Sequence, residues 1–196
     1  MKPFLLGLTG SIGMGKSTTA ALFAAEGLPV WDADAAVARL YRPGGAALAP
    51  VSALCPAAVT ADGIDRARLK RWIAADPTAL QRLEQVVHPL VAADRAAFIA
   101  RQTADIVVLD IPLLFETNAD AGVDATLVVT ASATVQRTRV MARPGMTEAQ
   151  FETLLARQMP DAEKRRRATH VIETTSLDAV QKAVQELIVR IRSRHA

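Results

Sequence analysis

The sequence predicts an α/β fold built on a doubly wound parallel sheet. Short, continuous apolar runs recur along the chain, and segments with helical periodicity separate them, as expected for buried parallel strands joined by helices. A glycine-rich turn links the first apolar run to the first helical segment. With 196 residues, of which 51% are hydrophobic, we expect one domain with insertions rather than two full domains.

The chain opens with a predicted β-α-β unit. Residues 4–9 are an apolar run typical of a buried strand, and residues 16 to about 25 are predicted to form a helix that ends near Gly27. A second short strand over residues 30–32 precedes a helix over residues 33–41.

The middle of the chain, residues 46–102, is predicted to be almost entirely helical and to contain no strand. We expect breaks in this helical pattern at Pro56, Asp62-Gly63, Asp76-Pro77 and His88-Pro89. The segment is therefore a helical insertion between two parts of the sheet.

The buried-strand pattern resumes after residue 105. Strands are predicted over residues 106–110, 125–129 and 170–173, and a terminal helix over residues 177–192. Helical segments rich in arginine lie between the last two strands, at residues 132–142, 147–159 and 161–167. Their position and composition suggest a lid.

The charge of the chain favours a phosphorylated partner. The net charge is +3, the isoelectric point is about 9.4, and most basic residues are arginines, whose planar guanidinium suits phosphate oxygens. A nucleic-acid partner is the alternative, because Lys164-Arg165-Arg166-Arg167 is a short basic run. No aromatic stacking platform accompanies the run, so we expect no nucleic-acid partner.

Cysteine content and hydropathy bear on the location of the protein. Cys55 is the only cysteine, which excludes a disulfide within the chain and favours a reducing compartment. No segment approaches the roughly 18 apolar residues of a membrane span, so no membrane partner is expected. We therefore expect a cytoplasmic protein that is a monomer or a weak homo-oligomer.

The clearest motif follows the first predicted strand. Its residues satisfy the pattern G-x-x-x-x-G-K-[ST]: Gly10, Ser11, Ile12, Gly13, Met14, Gly15, Lys16 and Ser17. The glycines let backbone N–H groups turn toward phosphates, and the following helix adds its partial positive charge. Lys16 is expected to reach the β- and γ-phosphates and Ser17 to coordinate Mg²⁺, while Thr18 donates to a further phosphate oxygen.

A flexible glycine turn is the plain alternative for this motif. Its place after a strand and before a helix, at fixed spacing, favours nucleotide binding instead. The sequence contains no Asn-Lys-x-Asp of the kind that GTPases use to recognise guanine, which favours ATP.

Three carboxylates follow predicted strands. Asp110 ends a strand expected beside the motif, where it can hold Mg²⁺ or, alternatively, cap the turn ahead of Pro112. Asp32 and Asp34 follow the second strand, at the sheet edge where ligands bind in this architecture. Either can orient an acceptor hydroxyl and take its proton, or cap the next helix, and spacing does not distinguish them.

Arg137, Arg139 and Arg143 recur at intervals that place them near one another on a helix. A solvated charged face is the ordinary explanation for such a row. A lid would instead bring these side chains over a triphosphate, where they neutralise charge on the transferring group. We favour the second role for Arg143 and leave both open for Arg137 and Arg139.

These motifs together resemble the dephospho-CoA kinase family along nearly the whole chain. The segments that carry the resemblance are residues 8–17, Asp32-Ala33-Asp34 with Arg39, residues 62–66 with Leu69, Leu83-Glu84, His88-Pro89-Leu90, residues 110–116, Gln136-Arg137 with Arg139 and Arg143, and Arg157-Gln158-Met159-Pro160. The first segment occurs in many nucleotide-binding proteins, so the order and spacing of the others make the resemblance specific.

The resemblance implies an ATP-dependent kinase that phosphorylates the ribose 3′-hydroxyl of dephospho-CoA with ATP and Mg²⁺. It implies a core of about residues 1–45, 104–131 and 168–196, a helical substrate region of about 46–103 and a lid of about 132–167. Asp34 would be the base, and Lys16 and Arg143 would stabilise the transferring group. The acceptor site would be bordered by Thr9, Asp32, Asp34, Arg39, His88, Pro89, Pro112, Leu113, Leu114, Phe115 and Glu116.

The chain departs from similar proteins in two places. They usually show Ala-Asp followed by an Asn that is associated with the adenine pocket, whereas this chain has Ala168-Thr169 and then Glu173-Thr174. Arg143 is followed by Pro144-Gly145 rather than by an acidic residue, which alters the expected hinge of the lid.

Overall fold

The computed structural model describes residues 2–195. The elements up to the middle of the chain are β1 Phe4–Thr9, α1 Lys16–Ala25, β2 Val30–Asp32, α2 Ala33–Tyr41, α3 Leu48–Leu54, β3 Val59–Thr60, β4 Gly63–Ile64, α4 Arg66–Ala75 and α5 Ala79–Ala100. The remaining elements are β5 Ile106–Asp110, β6 Ala125–Thr130, α6 Ala133–Met141, α7 Glu148–Ala156, α8 Asp161–Arg167, β7 His170–Glu173 and α9 Leu177–His195.

Within residues 2–195, the main sheet has five strands in the order β2-β5-β1-β6-β7. β1 pairs in parallel with both β5 and β6, and β6 pairs in parallel with β7. β5 and β6 are buried along their whole length, as strands of a parallel sheet covered on both faces must be. The predicted α/β fold with a parallel sheet is confirmed.

The chain divides into two compact units. The core unit contains residues 2–31 and 102–195, and the helical unit contains Asp32–Arg101. Residues 32–45, which the family resemblance places in the core, lie in the helical unit.

Each unit has its own apolar core. In the core unit, the strands and the flanking helices bury a cluster of mostly aliphatic side chains, including Leu6, Leu8, Phe23, Leu127 and Val184. In the helical unit, the helices and the short strands bury a second cluster, including Val51, Ile64, Leu69, Leu83 and Val87. No helix within residues 2–195 is long and apolar enough to span a bilayer.

The prediction that residues 46–102 contain no strand was wrong. β3 and β4 form a small antiparallel hairpin, with Val59 opposite Ile64 and Thr60 opposite Gly63. Gly63 has a φ of 102°, and a Cβ there would lie 2.2 Å from the carbonyl oxygen of Tyr41. Strands of two residues are too short to show alternation, so only the Asp62-Gly63 turn signal was visible in the sequence.

The helix break expected at His88-Pro89 was also wrong, because α5 continues through Pro89. Proline removes one backbone N–H from a helix and usually bends or ends it. Here Leu83 and Val87, on the preceding turns, are buried in the core of the helical unit. We attribute the continuity of α5 to this packing, which outweighs the cost of the proline.

Candidate phosphate-binding site

The glycine-rich turn lies between β1 and α1, as the motif predicts. Gly13 and Gly15 have φ values of 77° and 89°, a left-handed backbone that other residues adopt only with strain. A Cβ on Gly13 would lie 2.6 Å from Cγ2 of Val140, and one on Gly15 would lie 3.0 Å from Cγ2 of Thr174. Both backbone conformation and close packing therefore require glycine at these positions.

The first turn of α1 is capped differently from those of α2, α4 and α6. Among the described residues, no side chain caps α1, and its first turn contains no acidic residue. Side-chain oxygens of Asp32, Asp65 and Ser132 accept hydrogen bonds from the first turns of α2, α4 and α6. The N–H groups and partial positive charge at the start of α1 are thus available to an anion.

Lys16 is the first residue of α1, and its side chain reaches the end of β5. The Lys16 Nζ lies 2.5 Å from Oδ1 of Asp110, which is only 3% exposed. A buried carboxylate needs such a partner, because its desolvation is otherwise costly. The structure therefore brings together Lys16 and Asp110, while Ser17 and Thr18 are exposed in the next positions of α1.

Residues 112–116 follow β5 and were expected to border the acceptor. The Thr9 hydroxyl donates to the carbonyl oxygen of Pro112 at 3.0 Å, which ties this segment to the end of β1. Leu114 and Phe115 are buried, whereas Leu113 is 39% exposed. The segment is thus held by packing and presents Leu113 to solvent.

Glu116 makes a buried ion pair that the sequence did not indicate. Its Oε1 accepts a hydrogen bond from the amide of Met159 at 2.8 Å and lies 2.9 Å from Nζ of Lys164, which is fully buried. Burial raises the pKa of Glu116, but the interaction with Lys164 and the hydrogen bond from Met159 outweigh it, so the pKa lies below its usual range. The pair holds α8 against the segment that follows β5.

The run from Lys164 to Arg167 does not form one exposed basic surface. Besides the burial of Lys164, Arg165 pairs with Asp161, and Arg167 pairs with Asp120 at 2.9 Å. The Arg167 guanidinium also lies 4.7 Å from the centre of the Phe115 ring. Three of these four charges therefore have partners within the chain.

The three arginines expected in a lid have separate surroundings. Arg137 forms a bidentate pair with Glu148, and Arg139 donates to the hydroxyl and the carbonyl oxygen of Thr174, both at 2.8 Å. The prediction that all three arginines share a helix was wrong for Arg143. It lies in the exposed turn after α6, which ends at Met141, because the helix does not extend into the Pro144-Gly145 segment.

The remaining predicted site residues lie in the helical unit. Asp32 Oδ1 accepts the amide of Ala35 at 3.0 Å and caps α2, while Asp34 is exposed in the first turn of the same helix. Arg39 on α2 pairs with Asp94 on α5 at 2.6 Å. His88 and Pro89 are exposed on α5.

Three side chains that contact the glycine-rich turn were missed as functional residues. Gln136 and Gln158 both bond the backbone of Ile12, and Thr174 bonds the carbonyl oxygen of Met14. Glutamine and threonine are common in many surroundings, so a single sequence offers no physical signal for these contacts. The two glutamines stood only within segments of the family resemblance.

Comparison with known proteins places these features in context. The family model described as dephospho-CoA kinase matches residues 4–179. The dephospho-CoA kinase of Cereibacter sphaeroides is 66% identical over 192 residues, covering 98% of this chain and 98% of that protein. A relative from Jannaschia, also a dephospho-CoA kinase, is 58% identical over 96% of this chain and 97% of its own.

Solved structures show the same fold. TT1252 from Thermus thermophilus is 39% identical, with a TM-score of 0.86 over 97% of this chain and 98% of that one. The dephospho-CoA kinase from Campylobacter jejuni is 22% identical, with a TM-score of 0.70 over 98% of each chain.

Proposed function

This chain belongs to the dephospho-CoA kinase family, and we propose that it transfers the γ-phosphoryl group of ATP to the ribose 3′-hydroxyl of dephospho-CoA. The products are CoA and ADP, which makes the reaction the final step of CoA synthesis. The structural observation that carries the proposal is the start of α1: an uncapped helix N-terminus behind a glycine-rich turn, with Lys16 as its first residue. This arrangement suits the phosphates of a nucleotide.

We assign ATP binding to the turn and the first residues of α1. The amides from Gly13 to Thr18 donate to phosphate oxygens, and Lys16 contacts the β- and γ-phosphates. In this assignment Lys16 exchanges part of its interaction with Asp110 for the phosphates when ATP binds. Arg143, in the exposed turn of the lid, adds positive charge near the transferring group.

The donor atoms near Lys16 fit Mg²⁺. No group of three or more His, Cys, Asp or Glu side chains within residues 2–195 forms a metal cluster. The Ser17 hydroxyl and the Asp110 carboxylate are oxygen donors of the kind Mg²⁺ prefers, with phosphates and water completing its shell. Bound there, Mg²⁺ would neutralise charge on the β- and γ-phosphates.

We assign the acceptor hydroxyl to Asp34. Its carboxylate takes the proton from the 3′-hydroxyl as the oxygen bonds to the γ-phosphorus, and the bond from that phosphorus to the bridging oxygen breaks to release ADP. The family resemblance supports this choice, as does the capping bond that occupies Asp32. Arg39, His88 and Pro89, with Thr9 and the segment from Pro112 to Glu116, border dephospho-CoA in this proposal.

A coupled assay of ADP release tests the proposed function. Purified protein with ATP and magnesium should release ADP with dephospho-CoA and should produce CoA that mass spectrometry detects. A panel of nucleosides and nucleotides, at the same concentrations, should give much slower release. Faster turnover of a nucleoside than of dephospho-CoA would assign the chain to a different small-molecule kinase activity.

Location in the cytoplasm and the state of association stay predictions.

A further inference from the structure

Polar side chains from distant parts of the core unit form hydrogen bonds with the backbone of the glycine-rich turn. Gln136 on α6 donates from Nε2 to the carbonyl oxygen of Ile12 at 2.8 Å. The Oγ1 of Thr174, after β7, lies 3.1 Å from the carbonyl oxygen of Met14 and 3.2 Å from that of Thr130, so the two oxygens share its one proton. Gln158, after α7, accepts the N–H of Ile12 at 3.0 Å.

These contacts fix the direction of amides that the proposed function uses. In a trans peptide the C=O of one residue and the N–H of the next point in opposite directions. Holding the carbonyl of Ile12 therefore sets the direction of the Gly13 N–H, and holding the carbonyl of Met14 sets that of Gly15. Both N–H groups then point away from Gln136 and Thr174, toward the opposite side of the turn.

The three side chains that contact the turn are themselves held in place by their surroundings. Gln136 and Thr174 are each 5% exposed, and Arg139 donates to both oxygens of Thr174. Gln158 precedes Met159, whose amide is bound by Glu116. The turn contains three glycines, which have the widest conformational freedom of any residue, so fixed neighbours reduce the entropy lost when phosphate binds.

The chemical type of these residues also suits the task. Glutamine and threonine are neutral, so they hold the backbone without adding a charge that competes for phosphate or repels it. Gln136 and Thr174 also engage the carbonyl oxygens, the negative ends of the peptide dipoles. The positive ends are thereby left for the anion.

We propose that Gln136, Gln158 and Thr174 are positioning residues that preorganise the phosphate-binding turn through the backbone of Ile12 and Met14. The inference rests on the proposed nucleotide site, and it extends that site to parts of the chain that touch no phosphate. It also gives Thr174 a role in shaping the turn.

Three variants with matched controls test the proposal: Gln136→Leu, Gln158→Leu and Thr174→Val. The controls are Gln150→Leu and Thr138→Val. The first removes a side-chain hydrogen bond of the capping box of α7, and the second removes a hydrogen bond that the Thr138 hydroxyl donates within α6. Both controls change the same residue types in the lid without touching the turn. Gln158 is only half-buried, so Gln158→Leu keeps the test available if Gln136→Leu does not fold.

The first measurement is the dissociation constant of ADP with magnesium, by isothermal titration calorimetry. Gln136→Leu and Gln158→Leu should each bind ADP about 5-fold more weakly, as expected for one lost hydrogen bond, while the controls bind as the wild type does. Thr174→Val should weaken ADP binding at least as much, because it also removes the contacts of the hydroxyl with Arg139 and Thr130. In steady-state assays the KM for ATP should rise and the KM for dephospho-CoA should not. A lower melting temperature with unchanged ADP affinity in all three variants would show a purely structural role and would overturn the proposal.

The binding measurement also separates this inference from the proposed function. ADP titration uses no acceptor, so wild-type protein that binds ADP but does not phosphorylate dephospho-CoA would refute the acceptor while leaving the positioning test intact. Wild-type protein that binds no ADP would refute both.

Discussion

The glycine-rich turn of the core unit and the carboxylates of the helical unit are built on different principles. In the turn, the groups proposed to bind phosphate are backbone amides. The backbone conformation at Gly13 and Gly15 admits almost no other residue. In the helical unit, Asp32 and Asp34 are exposed side chains at the start of α2, where Asp32 is the N-cap and Asp34 lies in the first turn.

This difference explains why the function of the glycine-rich turn can be recognised from a sequence, whereas the function of the two aspartates cannot. A backbone site restricts residue type through φ values and close approach, so it leaves a fixed pattern of glycines. A carboxylate at the start of a helix is favourable for capping and for the helix dipole whatever else it does. Its presence therefore does not by itself indicate chemistry.

The strongest test of the backbone region removes the ammonium group that we assign to the phosphates. Lys16→Ala should lower the free energy of unfolding, because the buried Asp110 loses its ion pair with Lys16. The kcat of the folded variant should fall by about 10²- to 10³-fold, the cost of losing one preorganised charge contact. The measurement is steady-state ADP release, with circular dichroism to check folding. Turnover close to that of the wild type would show that the backbone amides bind and orient the phosphates without the ammonium group of Lys16.

The next test asks which carboxylate of the helical unit is used. Asp34→Asn should lower kcat by about 10²-fold, because a base contributes less where the transition state is loose, while ADP binding stays unchanged. Asp32→Asn should retain most activity, since Asn also caps helices. Single-turnover rates compare the two variants, and a larger loss in Asp32→Asn would reverse the assignment.

The same contrast describes what the sequence could predict. Strands such as residues 106–110 were predictable because a parallel sheet demands continuous apolar runs, and the glycine-rich turn because its φ values demand glycine. The hairpin of β3 and β4 and the passage of α5 through Pro89 depend on tertiary packing, which local pattern does not contain. The contacts of Gln136 and Gln158 join residues more than a hundred positions apart, with no rare residue type to mark them.

A smaller effect is expected where a side chain of the core unit supports the segment after β5. Lys164→Met leaves the carboxylate of Glu116 without its partner and should lower the free energy of unfolding by about 2–3 kcal/mol, less than for a fully buried pair because Glu116 is partly exposed. Urea unfolding measures the change. The exposed Arg166→Met, in the same helix, serves as the control and should have little effect.

The pH dependence of that pair has a defined sign. Burial alone would raise the folded-state pKa of Glu116, but the interaction with Lys164 and the hydrogen bond from Met159 more than offset the burial. The folded-state pKa is therefore lowered. Its contribution is therefore complete above the pKa of an unfolded glutamate and is lost as the pH falls through the folded pKa. Lys164→Met should lose less stability on acidification than the wild type, and an equal acid sensitivity would assign the effect to other groups.

The smallest effect separates capping from chemistry at the start of α2. Asp32→Ala removes the oxygen that accepts the Ala35 amide and should cost about 1 kcal/mol in urea unfolding, whereas Asp32→Asn should cost little because Asn caps as well as Asp does. If stability follows this order while both variants keep nearly full activity, Asp32 is a cap whose position beside Asp34 follows from helix formation alone. If Asp32→Asn is stable but inactive, the charge of Asp32 takes part in the reaction, and both aspartates at the start of α2 contribute to phosphoryl transfer.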